Sequence, residues 1–156
     1  MEVRKRRTSA EDDLAVVRFP DGTVIDAVGI RDRRLDKPER DYGFYLDPCW
    51  RPTWNASVIE WEDYGLPVEP EATAAAICNA FSRAKRGERV EVGCIGGLGR
   101  TGTVLACMAV LAGIAPQHAV AWVRGHYDPA AVETPEQENW VMWFAEHIRE
   151  TGATGS

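Results

Sequence analysis

Cys94 and Arg100 stand at the two ends of the run Cys94-Ile95-Gly96-Gly97-Leu98-Gly99-Arg100-Thr101-Gly102, with five residues between them, three of them glycine. A thiol and a guanidinium at this spacing can work on one phosphate group. The sulfur attacks phosphorus while the planar fork holds two of its oxygens, a grip that lysine lacks. A loop that wraps an oxyanion must turn its backbone N–H groups inward, which glycine permits, and a helix N-terminus following it adds partial positive charge at the same point. The expected phosphate ligands are therefore the N–H groups of Ile95, Gly96, Gly97, Leu98, Gly99 and Arg100. The same field favours a thiolate, so Cys94 is expected to be nucleophilic near neutral pH.

The bulk of the chain bounds what can surround this loop. With 156 residues, 45% hydrophobic and 27% charged, it suits one domain with a sizeable core and has no room for a second catalytic one. Met1 to Asp13 and Thr151 to Ser156 lack periodicity and are expected to be disordered tails, which leaves a single domain over 14–150. The basic run Arg4-Lys5-Arg6-Arg7 lies among acidic neighbours and reads as part of a solvated tail. A net charge of -6 argues against nucleic acid as a partner. Cys49, Cys78, Cys94 and Cys107 form no CxxC pair, and His118, His126 and His147 lack a ligand constellation, so no metal or other cofactor is implied. Without an apolar leader, a reduced, cytoplasmic protein is expected. The apolar run from Val104 to Gly113 is shorter than the roughly 20 residues of a membrane span, so no membrane association is expected and a buried helix is. The oligomeric state is left open.

The elements that must position the loop are readable from periodicity and turns. Leu14 to Phe19 and Val24 to Val28 flank Pro20-Asp21-Gly22-Thr23 and predict a β-hairpin, followed by a mixed-charge loop from Arg31 to Asp41. Gly43 to Leu46 and Ser57 to Trp61 are short β-prone runs. Glu71 to Arg86 is amphipathic with Gly87 beyond its end, Arg89 to Gly93 is a strand, and Thr101 to Ala112 is a helix apolar nearly all round. Pro116 and Pro135 each open a helix, the last one burying Trp140, Val141, Phe144 and Ile148. Strands early and helices late make an α/β domain, a central mostly parallel sheet flanked by helices, with the reactive loop at the carboxyl end of one strand.

Cys-x5-Arg-Thr-Gly resembles the phosphate-binding loop of the cysteine-based protein tyrosine phosphatases. Trp61-Glu62-Asp63-Tyr64-Gly65-Leu66-Pro67 is similar to that family's mobile acid loop, Trp-Pro-Asp-aromatic-Gly-aliphatic-Pro, and lies one helix and one strand upstream of the cysteine. Thr134-Pro135-Glu136-Gln137 resembles the family's late glutamine-bearing loop, and the short length is closer to the dual-specificity members. The resemblance implies the cysteine phosphatase fold and a phosphoric monoester hydrolase acting through a cysteinyl-phosphate. It favours phosphotyrosine-containing proteins as substrates and leaves dual specificity open. It also implies roles: Cys94 as nucleophile, Arg100 as phosphate grip, and Asp63 as the acid that protonates the leaving group and later as base toward water. Thr101 would hydrogen-bond the sulfur, and Gln137 would position the hydrolytic water. Thr134-x-x-Gln137 is equally a capping box for the last helix.

Several residues depart from the family pattern. Gly93 takes the place of a histidine that helps order the loop and favour the thiolate, which implies a less fully ionised Cys94. Glu91 falls on the same strand face as Gly93, where it reads as an exposed strand end or, alternatively, as a carboxylate filling the vacated space. Glu62 replaces the acid loop's proline. Glu133 stands where tyrosine-specific members carry a further glutamine, implying weaker or different water positioning. Cys49, Cys78 and Cys107 read as structural. Trp122, Trp140 and Trp143 read as packing in or beside the core, and for Trp50 and Trp54 core packing is favoured over a place beside the cleft. Tyr42, Tyr45 and Trp54 are the candidates for setting pocket depth.

Three other readings compete. Gly97-x-Gly99-x-x-Gly102 matches a dinucleotide fingerprint, but no acidic residue follows within about twenty positions and too little chain remains for the further strands. A phosphate-recognising module without turnover is opposed by the joint presence of Cys94, Arg100 and Asp63. A phosphatase of lipid, inositol or RNA phosphates would call for extra cations in the loop, and Ile95 to Gly99 carry none.

Overall fold

The computed structural model describes residues 14–30, 40–47, 52–62, 64–96 and 98–152. The tail from Met1 to Asp13, most of the mixed-charge loop (31–39), Cys49, Trp50, Asp63, Gly97 and residues 153–156 lie outside these. Five strands form one sheet: β1 (Leu14–Arg18), β2 (Val24–Gly29), β3 (Tyr42–Tyr45), β4 (Ala56–Val58) and β5 (Val90–Cys94), in the order β1-β2-β5-β3-β4. The expected hairpin is present: β1 runs antiparallel to β2 across a turn in which Gly22 has φ 91° and Thr23 N–H donates to Asp21 Oδ1 at 3.0 Å. All other pairings are parallel, with β5 in the middle between β2 and β3.

Among the described residues, four helices follow the pattern of prolines and glycines. They are α1 (Pro70–Lys85), α2 (Gly99–Leu111), α3 (Pro116–His126) and α4 (Pro135–Thr151), and α1, α3 and α4 carry proline in the first turn. Gly87, at φ 99°, lets the chain leave α1, and Gly152, at φ 71°, ends α4. Helix α4 thus runs through Thr151, past the boundary at 150 expected from composition, because the left-handed residue that stops it comes only at 152. Ile25, Ala27, Phe44, Val90 and Val92 share one face of the sheet. They form a continuous core with Ile77 and Phe81 of α1, Leu105 and Met108 of α2, Val123 of α3, and Val141 and Phe144 of α4. Burying the apolar face of every helix against this surface is the main source of stability.

The other face carries a buried polar network. Glu91 is fully buried: its Oε2 accepts from the Tyr45 hydroxyl at 2.7 Å, and Oε1 lies 3.5 Å from Arg40 Nε. The same Arg40 nitrogen is 3.0 Å from Asp26 Oδ2, and the Trp54 indole N–H donates to the Tyr45 oxygen at 3.0 Å. Glu91 is therefore no exposed strand end. The network is possible because Gly43 has no side chain: a Cβ there would sit 2.1 Å from Tyr45 Cε2, inside the ring's place. Gly43→Ala should displace the ring and strand a buried carboxylate. We expect a loss of about 3 kcal/mol, read as a lower denaturant midpoint at unchanged slope.

Candidate active site

Strand β5 delivers Cys94 to its carboxyl end with 2% exposure, and α2 opens at Gly99 five residues later. Between them Ile95 and Leu98 are half-buried and Gly96 is exposed, so the loop has a closed base and an open mouth. Arg100, in the first turn of α2, is buried and folds back across the strand ends. Its Nη1 donates to the Leu46 carbonyl at 2.9 Å and to the Trp61 carbonyl at 2.7 Å. Leu46 follows β3 and is itself held by its N–H on the Gly93 carbonyl at 2.9 Å. One guanidinium therefore joins the loop, the end of β3 and the stem of the 61–67 segment. Thr101 is fully buried, and its hydroxyl has no hydrogen-bond partner among the described residues.

The 61–67 segment is a tight, anchored turn. Trp61 is 1% exposed and bridges to Pro67, its indole N–H donates to the Gly65 carbonyl at 2.7 Å, and Gly65 N–H donates to the Glu62 carbonyl at 2.9 Å. Tyr64 holds φ 62° and stands exposed beside Asp63, which lies outside the described residues. The left-handed residue is what allows so short a reversal.

Gln137 ties this turn to the segment before α4. It is fully buried; Thr134 Oγ1 accepts from its backbone N–H at 3.1 Å, so the expected cap forms. Its side chain reaches past the cap residue. Oε1 accepts from Glu133 N–H at 2.8 Å, and Nε2 donates to the Gly65 carbonyl at 3.2 Å.

Residues 131–133 press against α2 through two glycines. A Cβ on Gly102 would lie 2.6 Å from Ala131 Cβ and 2.9 Å from Val132 N, and one on Gly99 would lie 2.0 Å from Glu133 Oε1. The glycine spacing that formally matches a dinucleotide fingerprint thus has another cause: Gly99 and Gly102 leave one side of the first turn bare so that this segment can approach. Val132 has φ 64°, a conformation that a β-branched residue adopts only under constraint. The constraint is Arg124 of α3, whose Nε donates to the Ala131 carbonyl at 2.8 Å and whose Nη2 donates to the Val132 carbonyl at 2.7 Å.

The space beside Gly93 is taken by β2, not by Glu91. A Cβ at Gly93 would lie 2.9 Å from Val28 Cγ1, 3.0 Å from the Val28 carbonyl oxygen and 3.3 Å from Ile30 Cγ1, so close strand packing accounts for glycine there. Tyr42 and Tyr45 are buried with their hydroxyls on Ser57 and Glu91, which removes both from the mouth of the loop; Trp54 is half-buried against Tyr45. Burial pushes the Cys78 thiol up to about 11 and, together with Cys78 itself, the Cys107 thiol well above its ordinary range. Both remain protonated at neutral pH and serve as packing groups. Among the described residues, no three His, Cys, Asp or Glu side chains converge as metal ligands, and no helix is long and apolar enough to cross a membrane.

Residues 52–141 match the family model described as PTP-SAK, Swiss Army Knife protein, DSP-PTPase phosphatase domain. The chain belongs to this phosphatase family. Two uncharacterized proteins of Methanocaldococcus jannaschii are similar to it. MJECL20 is 38% identical over 110 residues, 64% of this chain and 72% of its own, and MJ0215 is 39% identical over 110 residues, 64% and 67% respectively. The fold is shared with crystal structures of Tk-PTP. A mutant form gives a TM-score of 0.64 at 22% identity over 86% of this chain and 97% of that one. The active form gives 0.60 at 23% over 85% and 97%. The protein tyrosine phosphatase TbPTP1 of Trypanosoma brucei superposes with a TM-score of 0.62 at 13% identity over 90% of this chain and 74% of its own.

Within this PTP-SAK phosphatase domain, Cys94, Arg100, Thr101 and Gln137 belong to one end of the sheet, at the carboxyl ends of β3 and β5 and the first turns of α2 and α4. The carbonyls of Leu46 and Trp61, and Arg124, enter the site only through the fold. A backbone acceptor has no sequence signature, and Arg124 reads as any basic residue in a helix's last turn.

Proposed function

We propose that this chain hydrolyses phosphate monoesters through a cysteinyl-phosphate, with phosphotyrosine in proteins as the favoured substrate. The observation that carries the reading is the placement of Arg100, buried at the base of the loop that starts at Cys94 and bonded to Leu46 and Trp61. A guanidinium held by two carbonyls beside the loop supports reading Arg100 as the phosphate grip.

In the first step Cys94 Sγ attacks phosphorus in line and the ester P–O bond breaks. Asp63 gives its proton to the leaving oxygen. Charge stays on the equatorial oxygens throughout, so the fork of Arg100 and the N–H groups of residues 95–100 supply the largest contribution. Water then attacks the phosphocysteine. The buried Thr101 hydroxyl is available to the departing thiolate, and Gln137 holds the two flanking loops around the water's entry. The uncharged side chains of Ile95 and Leu98 favour a single phosphorylated side chain over polyanionic inositol phosphates.

The test is hydrolysis of a phosphotyrosine peptide beside its phosphoserine counterpart and an inositol polyphosphate. The phosphotyrosine peptide should lead by about tenfold or more in kcat/KM. Turnover of the inositol phosphate at the same rate would overturn the preference, and inactivity on all three would favour a phosphate-recognising module.

A further inference from the structure

Two exposed apolar side chains share one groove beside β4, the last strand of the sheet. Val58 of β4, 39% exposed, and Val68, 56% exposed, line a groove of about 210 Å³ with Ala72 and Thr73 of the first turn of α1 and with Glu60 and Glu69. Both carboxylates are exposed. The groove is built on the stem of the turn that carries Asp63: Val68 N–H donates to the Glu60 carbonyl at 3.1 Å, and Trp61 bridges to Pro67 next to it. It also lies level with the reactive loop. Val58 pairs with Tyr45, and Tyr45 pairs with Gly93, the residue before Cys94, so two strand spacings, about 10 Å, separate Val58 from β5.

The charge around this groove selects what can enter it. From residue 52 to 82 the sequence holds Glu60, Glu62, Asp63, Glu69 and Glu71 and no Lys, Arg or His. Such a border repels a phosphate dianion that arrives alone, and it attracts one whose carrier brings cations of its own. Carboxylates around apolar side chains also match the two parts of a long basic residue, whose stem packs on Val58 or Val68 while its head reaches Glu60 or Glu69. We infer that this groove docks the substrate protein beside its phosphorylated residue, taking a segment that carries Lys or Arg next to an apolar side chain. The inference rests on the phosphatase function proposed above. An extended chain rises about 3.3 Å per residue, so the groove meets positions about three residues from the phosphorylated one. An acidic segment at those positions is refused by like charge.

The test uses para-nitrophenyl phosphate and two phosphotyrosine peptides that are alike except for lysines or glutamates placed about three residues to either side of the phosphotyrosine, each beside a leucine. Wild type should favour the lysine peptide by about tenfold or more in kcat/KM, chiefly through KM, and the gap should narrow at high salt. Glu60→Lys combined with Glu69→Lys should invert the preference. Because the two peptides are compared within one enzyme, damage to the chemistry or partial unfolding cancels from the ratio. Exchange of the peptide's leucine for serine should raise KM about fivefold in wild type and far less in Val68→Ser. Equal turnover of the two peptides, a preference untouched by the charge reversal, or hydrolysis of para-nitrophenyl phosphate with neither peptide cleaved overturns the docking site. A wild type inactive on para-nitrophenyl phosphate and on both peptides overturns the phosphatase reading itself, and with it the inference.

Discussion

Cys94→Ser should lower hydrolysis of a phosphotyrosine peptide by about 10⁴-fold or more, while leaving the fold and much of the affinity in place. A serine hydroxyl at this point lacks a base to remove its proton, and as a leaving group in the second step it is far poorer than a thiolate. The side chain is small and 2% exposed at the end of β5, so exchange of sulfur for oxygen changes volume little. On the proposed mechanism Arg100 and the loop N–H groups, which this exchange leaves in place, hold the phosphate. Phosphate release and peptide binding by titration calorimetry should therefore part company, the first lost and the second retained. A variant that still turns over would exclude the cysteinyl-phosphate.

Arg100→Lys is expected to cost about 10³-fold in kcat/KM and to lower stability as well. Lysine keeps the charge but loses the fork, so phosphate oxygens are held by a point charge instead of two parallel N–H groups. The structural loss comes from the same geometry. Arg100 Nη1 bonds two carbonyls, of Leu46 and Trp61, at 2.9 and 2.7 Å, and a lysine amine cannot serve both and the substrate together. A buried acceptor left unmet costs about 1–3 kcal/mol. Kinetics beside urea unfolding should show both effects. Full activity with unchanged stability would mean that Arg100 neither grips phosphate nor ties the 61–67 turn.

The parts of this molecule legible in its sequence are those set by local chemistry. The hairpin around Asp21 and Gly22, the prolines that open α1, α3 and α4, and Cys94-x5-Arg100 between a strand and a helix each carry their signal within a few residues. What was hidden depends on residues far apart in the chain. Glu91 reads as a strand end because nothing near it shows that Tyr45 will lie across Gly43 to meet it. Gln137 reads as a helix cap; that its amide reaches Gly65 follows only from how α4 is docked. Gly99 and Gly102 read as loop glycines that free backbone N–H groups, because a sequence shows that side chains are missing without showing what fills their place. The cysteinyl-phosphate, the roles of the site residues and the phosphotyrosine preference are parts of the proposal.

The left-handed Val132 has a consequence for anyone who engineers this domain. Such a residue holds of order 1–3 kcal/mol of strain, and Val132→Gly relieves it at the price of a freer unfolded chain. A screen that rewards thermal tolerance alone is therefore drawn to this position and to others that relax the segment. Each gain also loosens the packing of residues 131–133 on Gly99 and Gly102 in the first turn of α2. That turn of α2 carries Arg100, so a library scored on both heat resistance and turnover is the one that keeps them together.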